Sequence, residues 1–402
     1  MNKEDWYILC RKIKASIQSL WFYFFRILPI DNKKIVFTCI EGTTGYTCNP
    51  KYIAEEMIRR NDDYKLIWLV NDISKTFPKE IKVVHNTLIN RAYQLTTAKI
   101  WIDNSRKQLE ARKRNGQIYI QTWHAKLGFK PTCLDRGKSF SKIAYLVSKH
   151  DSDMIDYVLS NSEWYDKTLP TGMLYNGKIM RTGSPRCDIL VNRTAKDMKR
   201  VRDEFHLSTD SKIIMYAPTF RGGSQGIDRT VEQGDHIPDL QKIRDALAER
   251  FGGSWVVFLR LHPQLVARHQ LSRESADGII DVSTVDDMYE ILAGCDAFLT
   301  DYSSAAFDAM VMKIPIFLYC DDYVEYENDR GGLLWKLEEL PFTMGQTQDE
   351  LVKKIEEFDS TDYEKEIEKL YKETGMIEDG KASNNVVDYV EKLVRYEENL
   401  YF

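Results

Sequence analysis

The chain has 402 residues, 43% hydrophobic and 29% charged, which suits a globular protein of two or perhaps three domains. Its net charge of −5 makes no case for nucleic-acid binding. Seven scattered cysteines, with no C-x-x-C pair and no His-rich metal spacing, argue against a disulfide framework and fit a reducing compartment.

Residues 1–30 stand apart. Trp6, Ile8, Leu9, Ile13, Ile17, Leu20, Trp21 and Phe24 recur at helical spacing, with Lys3, Arg11, Lys12, Lys14 and Arg26 between them. The densest apolar run, Leu20 to Ile30, is broken by Arg26 and Pro29 and is too short to span a bilayer. It also lacks a small-residue cleavage site, so no cleavable signal peptide is expected. A basic amphipathic helix rich in Trp and Phe either lies on an anionic membrane surface or packs on its own domain. At the other end Glu398 to Phe402 (ENLYF) resembles a purification-tag remnant and is set aside.

From Lys34 onward short β-rich runs alternate with helical stretches. Strands are predicted at Ile35–Ile40, Tyr64–Val70, Ile81–Val84, Lys99–Asp103, Ile118–Thr122, Tyr157–Ser160 and Ile179–Thr182. A second series runs Ile213–Ala217, Trp255–Leu261, Ile279–Val282, Ala297–Thr300 and Ile314–Leu318. Helices are predicted at Pro50–Arg60, Asn86–Thr97, Ala195–Phe205, Ile237–Phe251, Val285–Ala293 and Ser304–Met312. Two such series predict an α/β protein of two doubly wound, Rossmann-like domains. The boundaries read 31–191 and 192–375. Segment 376–397 forms a last helix that crosses back to the first domain.

Ligands of parallel sheets sit beyond the carboxyl ends of the strands, and two such domains enclose a cleft between those ends. Polar residues gather there. In AFLTDYSSAAFD (297–308) a strand runs into a helix through Asp301, Ser303 and Ser304, which can present hydroxyls and backbone N–H groups to a phosphate or simply cap the helix. His124 follows the strand 118–122, where a general base belongs, although a structural histidine bonded to a carbonyl fits the same place. Thr219 and Arg221, ahead of Gly222 and Gly223, can hold an anion. Arg260 and His262 point to one face of their strand and suit the charge on a leaving pyrophosphate. The loops 182–188 and Asp322 to Gly332, with Tyr323, Tyr326 and Arg330, line the cleft or close the hinge. No cluster has metal-ligand spacing, and the pairs Asp286-Asp287 and Asp321-Asp322 have no supporting histidine nearby. There is no P-loop, nucleophile elbow or dinucleotide fingerprint.

QTWHAKLG (121–128), TGSPRCD (182–188), YAPTFR (216–221), RLHP (260–263), TDYSSAAFD (300–308) and DDYVEYENDRGG (321–332) occur in the order seen in the CDP-glycerol glycerophosphotransferases. The resemblance covers roughly Lys34 to Gly332. It implies a GT-B type fold of two domains facing a cleft, at the cytoplasmic face of the cell membrane. It further implies transfer of glycerol phosphate from CDP-glycerol to a hydroxyl of a lipid-linked or polymeric acceptor in teichoic acid or capsule synthesis, with CMP released. Ribitol phosphate transfer from CDP-ribitol, or a sugar-nucleotide glycosyltransferase on the same fold, are the alternatives, with a non-catalytic membrane scaffold as the rival of another class. By position, His124 would be the base and His262 would help the cytidine monophosphate leave. Thr219, Arg221, Arg260, Ser303 and Ser304 would hold the donor, with Asp301 ordering the loop and Tyr323 and Arg330 nearby. No metal or cofactor is implied. One departure stands out: the family carries Trp-His-Gly followed by Thr-Pro, whereas Ala125 and Lys126 follow His124 here. The chain is also short for a processive polymerase with additional domains, which favours a single-addition enzyme or a capsule transferase.

Overall fold

The computed structural model describes residues 3–219, 236–261 and 278–398. Seven parallel strands form the first sheet: β1 (Asp31–Thr38), β2 (Lys65–Val70), β3 (Ile81–His85), β4 (Ala98–Asp103), β5 (Ile118–Gln121), β6 (Tyr157–Ser160) and β7 (Lys178–Arg181), in the order β3-β2-β1-β4-β5-β6-β7. Six more form the second: β8 (Lys212–Tyr216), β9 (Trp255–Leu259), β10 (Ile279–Asp281), β11 (Ala297–Thr300), β12 (Ile316–Tyr319) and β13 (Thr343–Gly345), in the order β10-β9-β8-β11-β12-β13. The twelve expected strands are present. β13 is an addition whose Thr-Met-Gly sequence is too short and too weakly apolar to read as a strand.

Each sheet is buried on both faces. In β1, Ile35 and Phe37 join one apolar cluster while Val36 joins another on the opposite side. This is the arrangement that helices covering a parallel sheet produce. Strand order reverses between β1 and β4 in the first sheet and between β8 and β11 in the second. Such reversals open crevices at the carboxyl ends.

The helix expected over Ser304–Met312 is a five-residue α-helix, Ala305–Ala309, followed by a 3-10 turn, Met310–Met312. Lys313 takes a left-handed φ of 55° and stops it. The helix expected over Val285–Ala293 begins later, at Met288, because Asp287 caps it and accepts from the Tyr289 N–H at 3.0 Å.

Three features tie the halves together. Phe129, from the loop after β5, sits fully buried in the core of the second domain, 5.0 Å from the ring of Phe307. Lys51 of the helix Cys48–Arg60 reaches Asp287 at 2.7 Å, and Tyr52 donates to the same carboxylate at 2.8 Å. The final helix, Ala382–Glu398, returns to the first domain, where Val386, Val387 and Val390 enter the cluster around β1. Asp188 caps it, accepting from the N–H groups of Ala382 and Ser383 at 2.9 and 2.7 Å.

The N-terminal helix, Lys3–Phe24, buries Ile8, Ala15, Ser19 and Phe22 on one face. The opposite face is left uncovered: Trp6, Ile13, Ile17, Leu20 and Phe24 are each more than half exposed, at 58, 51, 62, 62 and 56%. Their spacings of seven, four, three and four positions put them on one stripe. Among the described residues no helix is long and apolar enough to cross a membrane. Six of the seven free cysteines are buried.

Candidate active site in the cleft

A cavity of about 540 Å³ lies between the two sheets. His124, Lys126 and Lys130 line it from the first domain, and Thr219, Arg260, Ser303 and Ser304 line it from the second.

His124 stands three residues past β5, beside the end of β4. Its Nδ1 lies 2.7 Å from the carbonyl oxygen of Asn104. A carbonyl can only accept, so Nδ1 carries the proton and Nε2 keeps its lone pair in the neutral ring. The backbone bond of a purely structural histidine thus also selects the tautomer a base requires. Burial lowers the pKa of His124 below the ordinary histidine range, and the cations Arg186 and Arg106 push the same way. The Asn104 bond and Cys48 oppose them. The ring is therefore neutral at pH 7.

The backbone before His124 is strained. Trp123 has a φ of 49°, a left-handed value costing a non-glycine residue about 1–2 kcal/mol. Its surroundings hold it there. Gln121 accepts from its N–H at 2.9 Å, and Asn49 donates to its carbonyl at 2.7 Å. The Arg106 guanidinium lies 4.6 Å over its ring.

On the other wall Asp301 organises the crevice between β8 and β11. Its buried carboxylate accepts from the Thr219 N–H at 2.9 Å and from the Tyr302 N–H at 2.6 Å, and it takes the Thr219 hydroxyl proton as well. Thr219 was expected to donate its hydroxyl to a phosphate. In this structure the hydroxyl donates to Asp301, so Thr219 also fixes the loop at the cavity wall. Ser303 and Ser304 lie in the turn, where Ser303 Oγ accepts from the Ala305 N–H at 3.3 Å. With only five residues in the helix behind them, their hydroxyls and N–H groups matter more than any helix dipole. Arg260 anchors through Nη1 to the carbonyls of Val282, at 2.7 Å, and Val285. Burial lowers its pKa, yet a guanidinium stays charged at any physiological pH.

Other expected residues fall elsewhere. Arg221, His262 and the side chain of Arg330 lie outside the described residues. Tyr323 opens the helix Tyr323–Arg330 and is not among the cavity-lining residues, whereas Tyr302 is. Tyr326 lies buried, its ring stacked 3.9 Å from that of Tyr302. It therefore backs the wall of the cavity.

Two groups were missed. Asn104 had no sequence signal of its own, although its place at the end of β4 beside β5 meets the strand-end rule. Asp321 and Asp322, which lack a histidine nearby in sequence, acquire one in space. His236 Nδ1 lies 3.0 Å from Asp321, and the ligand atoms of His236, Asp321 and Asp322 fall within 4.8 Å of one another. This is the one group among the described residues with the composition and spacing to hold a cation. Asp322 already accepts from the Tyr302 hydroxyl at 3.0 Å.

Two doubly wound domains with a cleft between their strand ends define the class: a transferase-type architecture of GT-B build. The sequence matches the family model for CDP-glycerol:poly(glycerophosphate) glycerophosphotransferase over residues 20–392, and the chain belongs to that family. It is 29% identical over 384 residues to a teichoic acid poly(glycerol phosphate) polymerase of Staphylococcus epidermidis, covering 91% of this chain and 51% of that protein. It is 27% identical over 399 residues to a teichoic acid glycerol-phosphate transferase of Staphylococcus aureus, covering 94% and 99%. A teichoic acid ribitol-phosphate primase of Bacillus spizizenii is 28% identical over 405 residues, covering 95% and 97%. The chain spans about half the length of the Staphylococcus epidermidis polymerase, and likewise about half of a teichoic acid poly(glycerol phosphate) polymerase of Bacillus subtilis that is 27% identical over 392 residues. The solved structure of the wall teichoic acid polymerase TagF superposes with a TM-score of 0.79 at 26% identity, covering 99% of both chains.

Proposed function

We propose that the protein transfers glycerol phosphate from CDP-glycerol to a hydroxyl of a lipid-linked or polymeric acceptor in teichoic acid or capsule synthesis, releasing CMP. The observation that carries this reading is His124. It is a neutral imidazole with its Nδ1–H fixed by Asn104, on the wall of a cavity whose far side carries Arg260, Ser303 and Ser304. His124 takes the acceptor proton as the hydroxyl attacks the β-phosphorus of the donor. Arg260, the serine hydroxyls and the loop held by Asp301 stabilise the charge on the departing CMP. Arg221 and His262 are assigned to the same donor side by their place in the family motifs. Family membership and the TagF likeness support this assignment.

Purified protein given CDP-glycerol or CDP-ribitol, with lipid-linked acceptors, tests the reading by mass spectrometry of the products. A mass gain of one glycerol phosphate is expected. A gain of ribitol phosphate would assign the chain to the chemistry named for the Bacillus spizizenii primase. Turnover of a UDP- or GDP-sugar alone would replace the reading.

The exposed stripe of the N-terminal helix supports a peripheral position on the cytoplasmic face of the membrane, where a lipid-linked acceptor is reached. Lys12 and Lys14 flank the stripe and are exposed. Replacing Trp6, Ile13 and Leu20 together by aspartate is expected to weaken partition onto phosphatidylglycerol vesicles by roughly a hundredfold or more in co-sedimentation. Wild-type protein that stays in the supernatant would refute the membrane assignment.

A further inference from the structure

Lys126 lies two residues past His124 and lines the same cavity, yet its side chain is nine-tenths buried, at 6% exposure. An ammonium has three donors. Among the described residues, Lys126 Nζ makes one hydrogen bond, to Ser184 Oγ at 2.9 Å. The opposing charge that acts most strongly on it is Glu378, on the segment returning from the second domain. Its carboxylate is engaged by the Ser184 N–H and by Asn161 Nδ2, both at 2.9 Å. No ion pair joins Lys126 to a carboxylate among the described residues. A buried cation with unmet donors is unfavourable unless an anion completes it.

The side of the cavity decides which anion. The serine turn and Arg260 stand on the second-domain wall, where the donor diphosphate belongs. Lys126 stands on the first-domain wall in the same loop as the base, where the attacking hydroxyl belongs. In an alditol phosphate terminus the free hydroxyl lies only a few bonds from its phosphate. An imidazole and an ammonium two residues apart can meet both at once.

We propose that Lys126 is the acceptor-side anion site, its ammonium holding the phosphate adjacent to the attacked hydroxyl and selecting alditol-phosphate termini over neutral glycan termini. This deepens the function proposed above and rests on it. Ser184 and Glu378 are the positioning groups. Ser184 holds the Lys126 amine at the wall and Glu378 stands behind Ser184. Burial lowers the Lys126 pKa and pushes the Glu378 carboxyl up to about 7, so a phosphate bound against Nζ is what favours the charged amine.

The test uses the full chain at saturating CDP-glycerol, with two lipid-linked acceptors that differ only in whether the terminus carries glycerol phosphate or a bare sugar hydroxyl. Lys126→Gln is expected to raise the KM of the phosphate-terminated acceptor about ten- to a hundredfold. The KM for CDP-glycerol and that for the neutral acceptor should stay within about twofold. Lys126→Arg should recover most of the preference, because it keeps the charge. An unchanged acceptor KM, or an equal rise in the donor KM, overturns the proposal. If Lys126→Gln does not fold, wild-type protein still decides it. Inorganic phosphate should compete with the phosphate-terminated acceptor and not with CDP-glycerol, and absence of that competition counts against Lys126. No turnover of either CDP-alditol by wild type removes the parent reading too, whereas turnover without selectivity removes this inference alone.

Discussion

Replacing His124 by alanine is expected to lower turnover about 10²- to 10⁴-fold, the usual worth of a positioned general base, with little change in the KM for the donor. Asparagine at the same position should do the same, since it offers no basic nitrogen. The pH dependence gives a sharper check. The base works only unprotonated, and burial together with Arg186 and Arg106 lowers the pKa of His124 from its ordinary 6.5. The rate should therefore be flat through pH 7 and fall only as pH drops through that depressed value. An acid limb of kcat/KM centred above 6.5 would mean that another group takes the proton.

The second large effect concerns the seam between the domains. Arg186, from the loop after β7, meets Asp308, at the end of the TDYSSAAFD stretch, at 2.6 Å, and both side chains are more than nine-tenths buried. Asp308 is well satisfied: Tyr289 also donates to it at 2.7 Å and Cys187 at 3.4 Å. Arg186 is less so, because its buried Nε has no hydrogen-bond partner among the described residues. Its guanidinium lies 4.9 Å over the ring of Tyr289. Taking two charges out of water costs several kcal/mol each, so the pair is worth little against an apolar substitute. Breaking it is different. Asp308→Ala leaves a guanidinium buried without its counter-ion, and unfolding in urea should show a loss of about 3–5 kcal/mol. Arg186→Met with Asp308→Leu, which removes both charges, should cost markedly less. A loss below about 1 kcal/mol for the single variant would mean that the seam opens to water and the pair behaves as a surface one.

The alternation of strands and helices was legible because each buried strand is a short apolar run between polar turns, as in Ile118–Gln121 and Ala297–Thr300. What could not be read was whatever depends on residues far apart in the chain. Asp308 and Arg186 are separated by 122 positions, and His236 and Asp321 by 85. No local pattern announces such pairs. The strand-end rule pointed to His124, Arg260, Ser303 and Ser304, which line one cavity, and to Asp301 behind it, because strand ends concentrate polar residues where ligands bind. The Asp301 partner of the Thr219 hydroxyl was not legible, since the two residues lie 82 positions apart. Motif reading noticed Lys126 only as a departure from the family pattern, and the burial that gives it a part came from the packing of the loop 182–188 and of Glu378 against it.

The central claim is that a base from the first domain faces a nucleotide donor gripped by the second within one cavity. A crystal structure of the His124→Asn protein soaked with CDP-glycerol tests it most directly. The diphosphate is expected against Ser303, Ser304 and Arg260, with the glycerol end turned toward position 124 and its neighbour Lys126. Donor density on an outer face of either domain, or in the cleft with its phosphates turned away from position 124, would contradict it.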